Sequence, residues 1–309
     1  MRTDTALSLH AIALAVTALL AACGGGGSDG ADTSVTQETA QSATANALAV
    51  SEDGAEAQSE TLKNAQAVVA GGQASQTIAC AGGGTAVYTV TGGSLDSIAD
   101  GQLDAGETYT LSFSACRGSA GAASVDGTTT LAVTAASGDA LTVQTATTGL
   151  TVALPLRTLT WNGSSTLAAT TTTSGATTTT AVRWTSAEIQ LTSVRNARSS
   201  SFTLSDVDVQ RSVAVTSGVV AGATGSTAMT LAAVLPNGTW KATIASQGSV
   251  SYDAAGLPVS GSWSIMLPHN AIGVTVSPGT ATVTVDHGPD GTIDRTWTWS
   301  TTTLAAGAA

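Results

Sequence analysis

The sequence predicts an all-β chain, an antiparallel meander carried behind a flexible acidic segment, and three observations lead to that expectation. Beyond residue 75, apolar and polar residues alternate with period two, as in Thr108-Tyr109-Thr110-Leu111-Ser112-Phe113, which is the spacing of a strand with one buried face. Only 10% of residues are charged and 4% aromatic, while Ser, Thr, Gly and Ala dominate, a composition suited to strands and tight turns and poorly suited to a helical or α/β enzyme. Turn signals punctuate the pattern at Ser137-Gly138-Asp139, Asn162-Gly163, Ser174-Gly175, Pro236-Asn237-Gly238 and Pro289-Asp290-Gly291; such short links make consecutive strands antiparallel neighbours. Periodicity leaves open whether the meander forms a curved sheet, a sandwich or a partly closed barrel.

Three segments are expected: 1–22, 23–75 and 76–309. The first opens on Arg2 and contains an apolar run from Ala11 to Leu20 broken only by Thr17. That run is shorter than the roughly 20 residues a membrane helix needs, and it reads as the core of a signal peptide. It ends in Leu20-Ala21-Ala22-Cys23, followed by Gly24-Gly25-Gly26-Gly27-Ser28-Asp29-Gly30.

These residues resemble the lipobox of bacterial lipoproteins, in which a branched apolar residue and two small residues precede an obligatory Cys. The resemblance implies cleavage before Cys23, a thioether-linked diacylglycerol on its sulfur and, in Gram-negative bacteria, a third acyl chain on the new amine. Gly24, standing where an Asp would favour inner-membrane retention, implies sorting to the outer membrane. Each buried acyl methylene contributes about 0.8 kcal/mol, so one chain binds marginally whereas two or three anchor durably.

Segment 23–75 holds seven acids against one base, Lys63, and therefore carries −6 of the net charge of −11. It has no aromatic residue and no sustained hydrophobic period, and is expected to be a flexible acidic linker spanning roughly 40 Å. The acidic balance makes nucleic acid and anionic lipid poor partners. Within 76–309, strands are expected at Thr108–Phe113, Thr130–Val133, Ala140–Val143, Leu150–Thr160, Ser165–Thr173, Thr177–Trp184, Ile189–Val194 and onward to Thr292–Trp299. A transmembrane barrel would place larger side chains toward lipid and more aromatics at the interfaces than the Thr, Ser and Ala found here.

Cys80 and Cys116 are the two cysteines left after Cys23, and in an exported chain they are expected to pair. Asp96, Asp100, Asp104 and Glu107 occupy positions one, five, nine and twelve of a stretch with Gly101 at position six. That is the spacing of a calcium loop, because oxygens converge where the backbone turns sharply at Gly. Ile98 at position three cannot ligate, and a strand follows where an EF-hand needs a helix, so an acidic turn is the simpler expectation and Ca²⁺ the bolder one.

Asp286-His287-Gly288-Pro289-Asp290-Gly291-Thr292-Ile293-Asp294 is a second acidic turn. Asp206 and Asp208 read as a solvated strand face. Hydrolase chemistry finds little support: the part after residue 75 has only His269 and His287, with no Gly-x-Ser-x-Gly elbow, and two histidines are too few for a convincing zinc site. Trp297 and Trp299 share a strand face and could form a carbohydrate-binding stripe, although core packing explains most tryptophans. Thr170–Thr173 and Thr177–Thr180 read as a solvent face or edge. The expectation is an envelope lipoprotein anchored in the bilayer through Cys23, acting as a structural or interaction scaffold; a glycan or small-ligand binder is the alternative, and a secreted hydrolase is a third reading.

Overall fold

The computed structural model describes residues 35–37, 40–41, 43–44, 73–80, 82–117, 124–154, 157–195, 198–235, 238–253 and 258–303. The expected signal peptide 1–22, Cys23 and most of segment 23–75 lie outside the described residues. Residues 40, 41, 43 and 44 are helical, and Ala40, Ala43 and Thr44 are buried; at i, i+3 and i+4 they fall on one helical face.

The rest is antiparallel β-structure, as the alternation predicts. The strands are β1 (Ser75–Ala79), β2 (Thr85–Thr91), β3 (Thr108–Arg117), β4 (Ser124–Ser137), β5 (Ala140–Leu154), β6 (Arg157–Ser174), β7 (Thr177–Arg195), β8 (Arg198–Thr216), β9 (Val219–Leu235), β10 (Gly238–Ser246), β11 (Val250–Tyr252), β12 (Pro258–Leu267), β13 (Asn270–Ser277), β14 (Thr280–His287) and β15 (Arg295–Ser300). A short helix, α1 (Leu95–Ala99), interrupts the passage from β2 to β3. Hydrogen-bonding order follows chain order from β1 to β10 and from β12 to β15, with β10 beside β12 and β11 paired to both β9 and β12. Short turns enforce that order, since each strand is returned beside the one before it.

Two compact units are distinguished. The first comprises the described parts of Glu56–Thr171 and Val182–Ser199, and the second those of Leu14–Ala55, Thr172–Ala181 and Ser200–Ala309. In the first unit, Tyr88, Tyr109, Leu111, Leu131, Val143, Leu159, Leu167 and Trp184 make the apolar interior. In the second, Leu204, Met229, Leu231, Ile244, Trp263, Ile265, Ile272, Val274 and Val283 do so.

Asn162-Gly163 corrects the turn reading. The pair lies inside β6, which continues through the expected Ser165–Thr173, whereas the expected Leu150–Thr160 is divided between the end of β5 and the start of β6. Likewise Thr177–Trp184 and Ile189–Val194 are parts of β7. Gly163 has φ +138°, and a Cβ there would stand 3.0 Å from the Glu188 carbonyl oxygen. The residue therefore permits close approach of a neighbouring backbone, the other use of Gly in a strand.

Bulges place side chains as much as they bend strands. Along β3, Tyr109 and Leu111 point to the buried face; two residues, Ser114 and Ala115, then oppose the single Asp126, and the register resumes at Cys116↔Val125. The extra residue reverses the alternation, which puts Cys116 on the buried face. Ala115 adopts φ +44°, and its N–H donates to Asp126 Oδ1 at 2.7 Å. The same device recurs between β5 and β6: the bulged Gly149 N–H donates to Asn162 Oδ1 at 2.6 Å. In both cases the acceptor is followed by a glycine of positive φ, Gly127 or Gly163.

Candidate functional sites

Glu107 forms the most elaborate polar site. It lies one residue before β3, on the inward-facing parity of Tyr109 and Leu111, and is 0% exposed. Its backbone is pinned by the Val133 N–H, which donates to the Glu107 carbonyl at 2.8 Å. One carboxylate oxygen accepts the Ser97 hydroxyl at 2.5 Å; the other accepts the Asp104 N–H at 2.9 Å and the Tyr109 hydroxyl. A buried carboxylate needs such donors, because desolvation is otherwise uncompensated.

The chain delivers these partners through local structure. Ser94 caps α1 by accepting the Ser97 N–H at 3.0 Å, which fixes the first turn that carries Ser97. A Cβ at Gly93 would come within 2.8 Å of Glu107 Cγ, so the chain passes over the carboxylate only with glycine there. Burial, followed by the hydrogen bond to Glu107 and that group's charge, raises the Tyr109 phenol far above its ordinary range. Burial, followed by repulsion from Asp100 and Glu107, raises the Asp104 carboxyl.

The four residues spaced as a calcium loop are used separately. Glu107 is turned inward to satisfy three donors, Asp100 uses Oδ1 to accept the Gln102 N–H at 2.8 Å, and Asp96 lies exposed in the first turn of α1. The four side chains named from spacing are therefore not assembled as one cage, and among the described residues no three His, Cys, Asp or Glu side chains are gathered to hold a metal ion. Ser97 and Tyr109, which complete the Glu107 site, carry no sequence signal of that role. Only the alternation of β3, extended back by one step, could have pointed Glu107 inward.

The second acidic turn, between β14 and β15, also uses its carboxylates on its own backbone. Asp286 accepts the N–H groups of Asp290 at 3.2 Å and Gly291 at 2.9 Å, and Asp294 accepts the His287 N–H at 2.7 Å. Asp290 accepts the Thr292 N–H at 2.8 Å; that bond and a side-chain bond to Thr292 lower its carboxyl from the ordinary range. His287 Nδ1 lies 2.5 Å from Asn270 Oδ1, and the His269 carbonyl accepts the Gly288 N–H at 2.9 Å. The two histidines are thus used in joining the β12–β13 and β14–β15 turns. Asp206 is no plain member of a strand face: it sits at φ +53° in the bulge of β8.

Trp297 and Trp299 share a face of β15, with ring centroids 6.1 Å apart and planes inclined by 25°. Their cross-strand partners on β14, Val283 and Ala281, are fully buried, so the half-buried rings cover the margin of the core face. Cys80 and Cys116 are joined as a disulfide with Cα atoms 5.4 Å apart, packed with Ala86 and Phe113.

Compared with protein families, with curated proteins and with solved structures, the chain matches none.

Proposed function

We propose that this chain is an exported lipoprotein of the bacterial cell envelope, anchored through acyl chains on Cys23 and presenting its β-structure as an interaction scaffold. The observation that carries the reading is the use of its three cysteines. Cys80 and Cys116 pair with each other, a bond that persists in an oxidising compartment. Cys23 is the one cysteine left, and it closes the lipobox-like Leu20-Ala21-Ala22-Cys23. The use of buried and turn carboxylates as acceptors for the chain's own donors, at Glu107, Asp286 and Asp294, supports a scaffold over a catalyst, since carboxylates held in this way maintain the fold.

Metabolic labelling of cells expressing the full chain with an alkynyl palmitate analogue tests the anchor. The wild type takes up label and is cleaved before Cys23, whereas Cys23→Ser takes up no label and accumulates as the uncleaved precursor. Equal labelling of the two proteins overturns the reading.

A further inference from the structure

Two hairpin tips lie side by side in the second unit. β6 and β7 meet across Gly175-Ala176, and β8 and β9 across Ser217-Gly218. The Ser217 N–H donates to the Ala176 carbonyl at 3.3 Å, and the hydroxyls of Thr177 and Thr216 are 2.8 Å apart. The β8–β9 turn is sharp, with Ser217 at φ +50° and Gly218 at φ +82°.

Three features set the pair apart. None of the residues 172–182 or 211–222 is buried, whereas β13 buries every second residue along most of its length; both faces of the tips are therefore open. No charged residue occurs from Thr172 to Val182 or from Ser212 to Gly222, although exposed strands are ordinarily protected by charge or proline. At the turn, Val219 is 68% and Val220 37% exposed, opposite Thr216 and Val215 on β8.

We propose that these paired tips seat in the interfacial layer of a lipid bilayer, with Val219 and Val220 leading. The inference rests on the reading that Cys23 holds the chain at a membrane. The occupant follows from chemistry and size. An uncharged tip offers a charged partner no complement. Val219 and Val220 are the exposed large apolar side chains of these tips, whose other residues are mainly Thr, Ser, Gly and Ala, so the tips lack the broad apolar centre of a stable protein interface. A bilayer needs only a few apolar side chains and the absence of charge at the leading turn.

The depth is limited by the chain. Five uncharged residues, Ser212–Thr216, separate Arg211 from the β8–β9 turn; at about 3.3 Å each they reach roughly 17 Å. Spanning takes about 9–11 residues per strand, so the tips enter one face of the bilayer without crossing it. Arg211, whose guanidinium lies 4.2 Å from the centre of the Tyr252 ring, then arrives near phosphate level. Threonine hydroxyls and outer backbone groups stay among hydrated headgroups, where they avoid the cost of being unpaired in hydrocarbon.

The test uses the full chain as Cys23→Ser, free of acyl groups, with the environment-sensitive fluorophore NBD on Val219→Cys and, in a second protein, on the exposed Ser112→Cys of β3. Each is mixed with vesicles of the zwitterionic lipids phosphatidylethanolamine and phosphatidylcholine containing shallow doxyl-labelled lipid as quencher. Emission at position 219 shifts to the blue and is quenched, while position 112 does neither. Adding Val220→Asp, with the far-ultraviolet circular dichroism spectrum unchanged, lowers the lipid quenching at position 219 by about tenfold. An unresponsive label at 219, an equal response at 112, or a blue shift that follows protein concentration without vesicles, as a second copy would produce, overturns the proposal. Palmitate labelling of the wild type reads the anchor separately: a silent tip with acylation intact removes only the tip proposal, and a responsive tip without acylation removes only the anchor.

Discussion

Removing the Glu107 carboxylate measures how far one buried anion holds the β2–β3 connection onto the sheet. In Glu107→Ala, the Ser97 hydroxyl and the Asp104 N–H lose their acceptor, and the Tyr109 hydroxyl is left with the longer bond to the Gln102 carbonyl at 3.4 Å. Each buried donor left unpaired costs about 1–3 kcal/mol. The outer side of the connection is open to water, with Leu95 exposed and no buried residue on α1, so hydration recovers part of the loss and about 3–5 kcal/mol is expected. Glu107→Gln keeps an oxygen for Asp104 and Tyr109 and turns its amide toward Ser97, whose hydroxyl can accept. It loses only the charge assistance, about 2–3 kcal/mol. Tyr109→Phe removes one donor and costs about 1.5–3 kcal/mol. Equilibrium urea unfolding of the four proteins, with the m value held equal, reads these differences. A Glu107→Ala protein within about 1 kcal/mol of wild type, or a Gln variant less stable than the Ala variant, refutes the reasoning.

The disulfide closes a separation of 36 residues, and the chain-entropy relation gives about 4 kcal/mol of stabilisation for a loop of that size. Cys80→Ser with Cys116→Ser is expected to lose that amount in urea unfolding, and a loss below about 1 kcal/mol counts against the bond as a constraint on the unfolded chain. Asp104 supplies a pH test. Its carboxyl is raised in the fold, first by burial and then by Asp100 and Glu107, so the ionised form opposes folding above the raised value, and that opposition fades as pH falls through it toward the unfolded value. Asp104→Asn is expected to melt above wild type at pH 7, with the gap closing in acid. A variant that melts below wild type at pH 7, or a gap that does not change with pH, contradicts the cause assigned to the shift.

Much of the β-structure was legible because it depends on local spacing. The alternation through Thr108–Phe113 is the inward and outward parity of β3, and Ser137-Gly138-Asp139 and Ser174-Gly175 are turns where composition puts them. Asn162-Gly163 shows the limit. The dipeptide is a strong hairpin signal, yet within β6 its Asn side chain accepts a bulge N–H from β5 and its Gly lets β7 approach. Both uses depend on strands distant in sequence. The acidic stretch from Asp96 to Glu107 shows a related limit: spacing measures separation along the chain, whereas the direction of Glu107 is set by the parity of β3 and by Tyr109.

The sequence by itself determined the antiparallel all-β character of the chain, because alternation and turn chemistry act over a few residues, and it named Cys80 and Cys116 as a pair because no other cysteine follows Cys23. Only the tertiary structure decided which side of each strand faces inward beyond a bulge. A single extra residue at Ser114-Ala115 moves Cys116 to the buried face, and bulges in β5 and β8 reset the alternation in the same way. Side-chain direction reverses with every residue, so one insertion in pairing register redirects all that follows. That register is settled between strands, where a pattern read along one strand does not reach.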